Sequence, residues 1–154
     1  MLSKGQATGP RALAALLAAA IFSLAPPARA ENWDMASVDQ FQSPSGKILC
    51  TAWTDDTSTG VTCEQLGGGG DAGEPKPDDC EFDWGGSFTV FAYSKRGEVD
   101  CHSDFAGDPK SPVLQYGESI NAHGVKCTSR RSGMTCVNAD GHGFFVSRDS
   151  QKVF

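Results

Sequence analysis

Three histidines are the side chains of this sequence best suited to acid–base chemistry, and two of them lie close to an aspartate. His142 follows Asp140 by two residues, and His102 precedes Asp104 by two residues. A hydrolase needs a histidine within hydrogen-bonding reach of a nucleophile or a carboxylate. The same spacing is common in loops, so we favour structural histidines that donate to nearby carbonyl groups and keep a small hydrolase as the alternative.

Metal and cofactor sites have little support in the sequence. The motifs HExxH, GxSxG and CxxC, typical of zinc proteases, α/β-hydrolases and thioredoxin-like proteins, are absent, and the histidines lack regular spacing. An acidic run lacks the ordered loop of an EF-hand, so a solvated surface loop is favoured over a calcium site. The run contains Asp71, Glu74, Asp78, Asp79, Glu81 and Asp83. We therefore expect neither a metal nor a cofactor.

Aromatic side chains offer a second kind of site. Several exposed rings could stack on a sugar or a peptide, but in a small sheet protein such rings more often belong to the core. The rings in question are those of Trp33, Trp53, Trp84, Tyr93 and Tyr116. We expect a core role for them.

The cysteines indicate how the chain is held together. Two pairs flank a polar loop in a repeated pattern, with Cys-Thr before the loop and Thr-Cys after it. Directly opposed residues of a hairpin bring their Cβ atoms within bridging range. Six cysteines allow many pairings, but this pattern favours a sequential one. It joins Cys50 to Cys63 and Cys127 to Cys136, and it leaves Cys80 for Cys101.

The first thirty residues have the pattern of a signal peptide. Lys4 and Arg11 supply positive charge ahead of an uncharged apolar run at residues 12–25. Ala28-Arg29-Ala30 then fits the small-x-small pattern of a cleavage site. The run is too short for a comfortable membrane span. We expect a secreted or periplasmic protein, with no stable membrane insertion after cleavage and with disulfides formed in an oxidising compartment.

The chain after residue 30 is strongly acidic. It keeps ten of the thirteen basic residues and all nineteen acidic ones, which gives a formal charge of −9. Such a surface repels phosphate backbones, so nucleic-acid binding through a broad basic face is not expected. The charge would suit a cationic partner, although keeping an exported protein in solution is the simpler interpretation.

Short strands separated by turns account for most of the remaining sequence. No long apolar stripe has the helical period, whereas short runs rich in Val, Ile, Thr, Phe and Tyr lie between Gly and Pro clusters. We predict a mainly β fold, a small antiparallel sheet or hairpin meander stapled by disulfides. Residues 31–40 would be a loose lead-in, and residues 41–154 a single domain with a flexible surface loop at 67–79.

The end of the chain is expected to form a three-stranded meander. Turn-forming residues at 130–132 and 138–141 divide residues 124–148 into three strands. A hairpin that closes at the second turn sets Cys136 opposite about Gly143, where a glycine leaves room for a disulfide or a ring. His142 would lie at the exit of that turn.

Five stretches together resemble an uncharacterised family of bacterial secreted proteins, known as a domain of unknown function. They are "FQSPSGKILC", "GVTCE", "PDDCEFDWG", "VLQYG" and "CTSRRSGMTCVNADGHGFFVSR", and they fall within residues 41–154. Members typically show Phe-x-Ser-Pro-Ser-Gly-Asn-Ile-x-Cys near the start and Gly-His-Gly-Phe before Ser-Arg near the end. This chain has Lys47 in place of the asparagine. The resemblance implies an exported or cell-envelope protein and supplies no catalytic residue.

The sequence predicts a non-enzymatic envelope or extracellular module that binds a protein or a glycan. The small stapled fold and the lack of a recognisable catalytic constellation favour this function. One alternative is a small secreted hydrolase that uses His142 or His102 with a nearby aspartate. The other is a secreted inhibitor that presents a loop at residues 54–60 or 67–79.

Overall fold

A computed structural model describes residues 32–34, 40–67 and 73–154 of the chain. In these ranges the backbone forms β-strands and no helix, so no helix there is long and apolar enough to cross a membrane. The strands are β1 (Asn32–Asp34), β2 (Gln40–Gln42), β3 (Ile48–Thr54), β4 (Thr59–Gln65), β5 (Asp83–Phe91), β6 (Glu98–His102), β7 (Ser119–Ala122), β8 (Val125–Arg130), β9 (Gly133–Asn138), β10 (Gly143–Val146) and β11 (Gln151–Val153). The predicted mainly β fold is confirmed.

The strands form two sheets, and apart from β1 each sheet follows the chain as a meander. The five-stranded sheet has the order β2-β3-β4-β5-β6, and the six-stranded sheet has the order β1-β7-β8-β9-β10-β11. All neighbouring strands are antiparallel except β1, which lies parallel to β7. Hairpin connections therefore build almost the whole fold, which is the topology that frequent turn residues favour.

One hydrophobic core joins the two sheets. Alternate residues of β3, including Ile48 and Ala52, point into it as the strand pattern predicts, because side chains alternate between the faces of a strand. Phe88 of β5 and Phe144 of β10 are fully buried, and their ring centroids lie 6.1 Å apart. The two sheets thus pack against each other through large apolar side chains.

The three disulfides have the pairing that the hairpin pattern favours. Cys50 lies directly opposite Cys63, and Cys127 lies directly opposite Cys136. The two bridges face each other across the core, since the Sγ atoms of Cys63 and Cys136 are 3.7 Å apart. All four sulfurs are oxidised, so this is a van der Waals contact rather than a hydrogen bond. Disulfides of this kind are typical of proteins that fold in an oxidising environment.

Two details differ from the sequence-based expectations. Asn32–Asp34 fall in the expected loose lead-in, yet their backbone pairs with β7 as strand β1. In the last hairpin Cys136 lies opposite Phe144, and Gly143 lies opposite Val137. The pairing is shifted by one residue from the expected register. The hairpin is closed by Asn138 and His142, whose N–H and carbonyl are hydrogen-bonded, and three residues, 139–141, form the loop between them.

Gly143 is required for a different reason from the one expected. A Cβ atom at this position would come within 1.9 Å of the carbonyl oxygen of Cys136, a backbone atom that cannot move aside. The glycine therefore permits close approach of two backbones rather than space for a disulfide or a ring. The expected signal peptide, residues 1–30, lies outside the described residues, as do residues 68–72 of the expected surface loop 67–79.

Candidate functional site

A cleft of about 500 Å³ opens at one end of the two sheets, where the β2–β3, β8–β9 and β10–β11 turns meet. Its wall also includes the end of β4 and Tyr116, which precedes β7. Four basic side chains line it: Lys47, Arg130, Arg131 and Arg148. We call this feature the cationic cleft.

The β2–β3 turn places Lys47 in the wall of the cationic cleft. Pro44 fixes the start of the turn, and the N–H of Gly46 donates to the Ser43 carbonyl at 2.9 Å. Gly46 has a φ of 65°, a left-handed conformation that glycine adopts without strain. The Ser43 hydroxyl then accepts the N–H of Ile48 at 3.1 Å. These bonds fix the backbone on both sides of Lys47.

The β8–β9 turn supplies two arginines. Residues 131–132 connect Arg130 to Gly133, which are paired across the hairpin. A Cβ atom at Gly133 would come within 2.4 Å of the Val146 carbonyl oxygen, so glycine lets the turn pack against β10. The Arg131 guanidinium lies over the Tyr116 ring, 5.2 Å from its centroid. This cation–π contact restricts Arg131 to one side of the cationic cleft.

The β10–β11 turn supplies the fourth cation together with an acid. Arg148 donates to both carboxylate oxygens of Asp149, at 2.9 and 3.0 Å. This hydrogen-bonded pair raises the pKa of Arg148 and lowers the pKa of Asp149. Both groups are strongly exposed, so the pair contributes little to stability. Asp149 does, however, offset part of the positive charge of Arg148.

The remaining three cations differ from Arg148, which has Asp149 as its partner. Within the part of the chain that the structure describes, Lys47, Arg130 and Arg131 form no ion pair. The cationic cleft therefore concentrates positive charge in a chain whose net charge after residue 30 is −9. Low-dielectric walls focus such a field and attract anions. The net charge alone would suit a cationic partner or simply keep the protein in solution, whereas the charge of the cationic cleft is of the opposite sign.

Comparison with known proteins places the chain in a family. It matches the model of a family of unknown function, DUF6636, over residues 15–154. The chain belongs to this family. No curated protein and no solved structure matches it. The DUF6636 match spans residues 41–50 and 127–148, the two stretches that carried much of the resemblance, and turns from both stretches meet at the cationic cleft.

His142 lies at the exit of its turn, as expected. Its N–H donates to Asn138 Oδ1 at 3.1 Å, and its carbonyl accepts the N–H of Asn138 at 2.9 Å. Its imidazole forms no hydrogen bond with Asp140 or with any other residue that the structure describes. The backbone of His142 thus holds the turn, and the structure does not join the ring to the carboxylate that the hydrolase hypothesis requires.

His102 is half-buried in a different part of this DUF6636 chain. Its ring packs against Phe105, with centroids 5.3 Å apart, and its Nδ1 lies 3.4 Å from the Asp100 carbonyl oxygen. The structure forms no hydrogen bond between its ring and Asp104 within the described residues. The third histidine, His123, has Nδ1 3.1 Å from the Thr54 hydroxyl. All three histidines are described, and none lines the cationic cleft.

A hydrogen-bonded chain crosses the outer face of the five-stranded sheet. The Trp53 indole donates to the Thr62 hydroxyl at 3.1 Å, and this hydroxyl lies 2.7 Å from that of Thr89. Thr89 and Ser87 donate to one oxygen of Asp100 at 2.9 and 2.8 Å. Burial raises the pKa of Asp100, although both hydroxyls oppose this shift. No motif in the sequence predicts this network.

A buried carboxylate fixes the loop that covers part of the same face. The two oxygens of Glu64 accept the N–H groups of Ala106 and Gly107, each at 2.8 Å. Glu64 is only 5% exposed. It therefore holds the loop between β6 and β7 against β4. These two hydrogen bonds give the buried carboxylate a structural role.

The other sequence-based candidates are separate from the cationic cleft. Within the described residues no group of three or more His, Cys, Asp or Glu residues could hold a metal ion. Asp71 lies outside the described residues, and Glu74 pairs with Arg96. The remaining acids of the run are exposed, namely Asp78, Asp79, Glu81 and Asp83.

Of the five aromatic residues expected in the core, the four whose side chains the structure describes lie outside it, contrary to expectation. Tyr93 is 89% exposed, and Trp53 and Trp84 are half-buried on surfaces outside the shared core. Trp53 lies on the strand face opposite Ala52 and packs edge-on against Phe91 at 5.4 Å. The side chain of Trp33 lies outside the described residues. Tyr116, which is 40% exposed, reaches the cationic cleft.

Sequence reasoning missed the basic residues of the cationic cleft. The adjacent Arg130 and Arg131 in a short turn were the available sign, because a tight turn displays its side chains at a sheet end. Arg148 reaches the cleft through a later turn of the same sheet, whereas Lys47 belongs to the other sheet and reaches it only because the two sheets pack together.

Proposed function

We propose that this chain is an exported binding module whose cationic cleft takes an anionic group of a protein or a glycan. One observation carries the proposal: cations from three separate turns converge on one cleft in an otherwise acidic chain. Arginine forks bind carboxylates and phosphates through paired hydrogen bonds. An anionic ligand would supply the acceptors that the described residues do not provide to Arg130 and Arg131.

Export is supported by two independent features. Residues 12–25 form an apolar run ahead of a small-residue cleavage pattern, and the structure contains three disulfides. Disulfides persist in oxidising compartments and are rare where thiols are kept reduced. Secreted or periplasmic residence follows from the proposal and would expose the cationic cleft to glycans and other exported proteins.

Binding is favoured over catalysis by the contents of the cleft. Its wall holds cations, serine hydroxyls, one aromatic ring and the Asp149 carboxylate, which is bonded to Arg148, whereas the histidines lie elsewhere. A hydrolase with His142 or His102 would need a carboxylate directed at the imidazole. The contacts of Asp140 and Asp104 give no such support. No specific observation favours the inhibitor hypothesis.

An NMR titration of the oxidised, exported protein with citrate tests anion binding. Citrate carries several carboxylates and serves as a general probe of the cationic cleft. We expect the amide signals of Gly46, Gly133 and Ser147 to shift together with a single dissociation constant. Replacing both turn arginines, Arg130→Gln and Arg131→Gln, should weaken citrate binding at least tenfold, and added salt should weaken it further because ions screen exposed charges.

A second variant separates a specific site from general electrostatic attraction. Lys110→Gln combined with Lys126→Gln removes the same charge from exposed positions outside the cationic cleft. Citrate affinity should change less than twofold in this control. Equal losses in the two double variants, or shifts spread over the whole surface, would overturn the proposed function.

A further inference from the structure

The backbone around the cationic cleft is already paired, which leaves recognition to side chains. The strand residues in its wall lie at the ends of β3, β4, β8 and β9. Each of these strands has a hydrogen-bonded neighbour on both sides. An extended peptide that binds by strand addition needs an open sheet edge. The wall of the cleft provides none, so a compact ligand held by side chains is favoured.

The dimensions of the cleft agree with a compact ligand. Its volume of about 500 Å³ falls within the range of pockets that hold small molecules. The cations come from turns on different sides rather than from one continuous stripe. A ligand with one or two acidic groups attached to a small body fits this arrangement better than a long polyanion lying across it.

The polar groups between the cations suit a hydroxylated ligand. Ser132 is exposed, and its hydroxyl forms no hydrogen bond within the described part of the chain. The same is true of the Tyr116 hydroxyl. By contrast, Ser43 and Ser147 bond within their own turns. Two open hydroxyls beside unpaired cations provide partners for ring hydroxyl groups as well as for an acid.

Tyr116 and Arg131 add a preorganised element to this wall. The guanidinium rests on one face of the ring at 5.2 Å from its centroid. Part of the tyrosine remains exposed toward the cleft. Holding a charged side chain in place before binding lowers the entropy lost when a ligand is bound.

Resting on the proposed function, we propose that the ligand is an acidic saccharide, a sugar unit that carries a carboxylate or a phosphate. The acid pairs with the arginines and Lys47, while ring hydroxyls pair with Ser132 and Tyr116. The carboxylate and the phosphate forms share one chemistry, because guanidinium groups bind both through forked hydrogen bonds. The sugar can be free or the terminal unit of a glycan.

Four ligands test this inference in calorimetric titrations of the oxidised, exported protein. They are digalacturonate, glucose 6-phosphate, the acidic peptide triglutamate and the neutral sugar cellobiose. We expect at least one acidic sugar to bind ten times more tightly than both triglutamate and cellobiose. The two acidic sugars distinguish a carboxylate ligand from a phosphate ligand. Triglutamate binding as tightly as the better acidic sugar would overturn the inference in favour of an acidic protein partner.

Citrate separates failure of this inference from failure of the proposed function. If citrate binds at the cleft but neither acidic sugar exceeds triglutamate, the saccharide inference is wrong and anion binding stands. If citrate shows no binding that depends on the arginines, the proposed function is wrong, and the saccharide inference, which rests on it, is wrong as well.

Hydroxyl variants provide an independent readout. Ser132→Ala combined with Tyr116→Phe removes both open hydroxyls and keeps the ring under Arg131. We expect the ratio of acidic-sugar affinity to citrate affinity to fall about tenfold. The matched control, Ser103→Ala with Tyr93→Phe, removes hydroxyls at exposed positions outside the cleft and should leave the ratio unchanged. An unchanged ratio in the cleft variant, at an unchanged urea midpoint, would contradict the inference.

Discussion

The two stapled hairpins, β3–β4 and β8–β9, share one construction but use the charges of their turns differently. In each, a disulfide joins directly opposed residues whose Cα atoms are 4.0 Å apart. In the β3–β4 turn the exposed Asp55 bonds to its own turn, where Oδ1 accepts the N–H groups of Thr57 and Ser58 at 2.7 and 2.8 Å. In the β8–β9 turn, the side chains of Arg130 and Arg131 form no hydrogen bond with any described residue.

The difference shows how to separate a structural charge from one available to a ligand. Asp55 completes its own turn, so its charge needs no partner outside the protein. The two arginines leave their donors open, and they do so at the cationic cleft. The turns also lie at opposite ends of the sheets, since the seven residues of β3 span about 20 Å between Asp55 and the cleft.

Removing either hairpin disulfide should produce the largest loss of stability. Cys50→Ala with Cys63→Ala, and Cys127→Ala with Cys136→Ala, each release a loop of similar length. The chain-entropy model gives a loss of about 3 kcal/mol in the free energy of unfolding for each pair. Urea unfolding of both variants checks this value. Losses that differ by more than about 2 kcal/mol would show that the two hairpins are not equivalent staples.

A variant that lacks both disulfides tests the contact between them. The facing sulfurs lie 3.7 Å apart, and side chains in contact usually give non-additive effects. We expect the loss for the fourfold variant to differ from the sum of the two pair losses by at least about 0.5 kcal/mol. Strict additivity would indicate that the bridges stabilise their sheets independently.

Glu64→Ala should cause the next largest loss in the free energy of unfolding. Glu64 belongs to β4, so this variant alters only the β3–β4 hairpin. This carboxylate joins β4 to the loop after β6, and its removal leaves the N–H groups of Ala106 and Gly107 without an acceptor. A fully buried unpaired donor costs about 1–3 kcal/mol, and because these donors are only partly buried we expect a loss near the lower end of that range. Hydrogen exchange at these two amides should accelerate. Glu98→Ala, at an exposed position of the same sheet, is the control and should leave their protection unchanged.

The local parts of the fold were predictable, and the reason lies in sequence distance. Cys50 and Cys63 belong to one hairpin, so their flanking threonines and the intervening turn residues define the pairing. Lys47 and Arg131 reach one cleft only because two separately formed sheets pack together. The sequence around either residue contains no pattern that predicts its proximity to the other.

The aromatic residues illustrate the same limit on a smaller scale. Trp53 lies in β3, one arm of the hairpin predicted from Cys50 and Cys63, but the prediction assigned it to the core by residue type. Its neighbour Ala52 takes the core side, so strand alternation turns Trp53 to the outer face. There its indole joins the hydrogen-bonded chain that ends at Asp100, which a residue-type argument does not reveal.

Asp55→Ala tests the structural side of the comparison through pH. Hydrogen bonds from Thr57 and Ser58 lower the pKa of Asp55 to about 2 from its usual 3.8. Because the folded pKa is the lower one, the stabilisation is present above the unfolded pKa and disappears as pH falls toward 2. The variant should have a lower urea midpoint at pH 7 and nearly the same midpoint at pH 2.

The neighbouring acid gives a matched control for this pH effect. Asp56 is exposed in the same turn and forms no hydrogen bond with the described residues. Asp56→Ala should leave the urea midpoint and its pH dependence unchanged. A loss equal to that of Asp55→Ala would mean that general turn charge, rather than the bonds of one carboxylate, stabilises the hairpin.

Arg130→Gln should have the smallest effect on stability, which makes it the sharpest test of the comparison. Among the described residues the exposed guanidinium has no hydrogen-bond partner and stacks on no aromatic ring, so the free energy of unfolding should change by less than about 0.5 kcal/mol. Citrate affinity should nevertheless fall, because the side chain belongs to the cationic cleft. If Arg130→Gln instead destabilised the protein as much as Asp55→Ala while citrate affinity was unchanged, both turns would use their charges structurally.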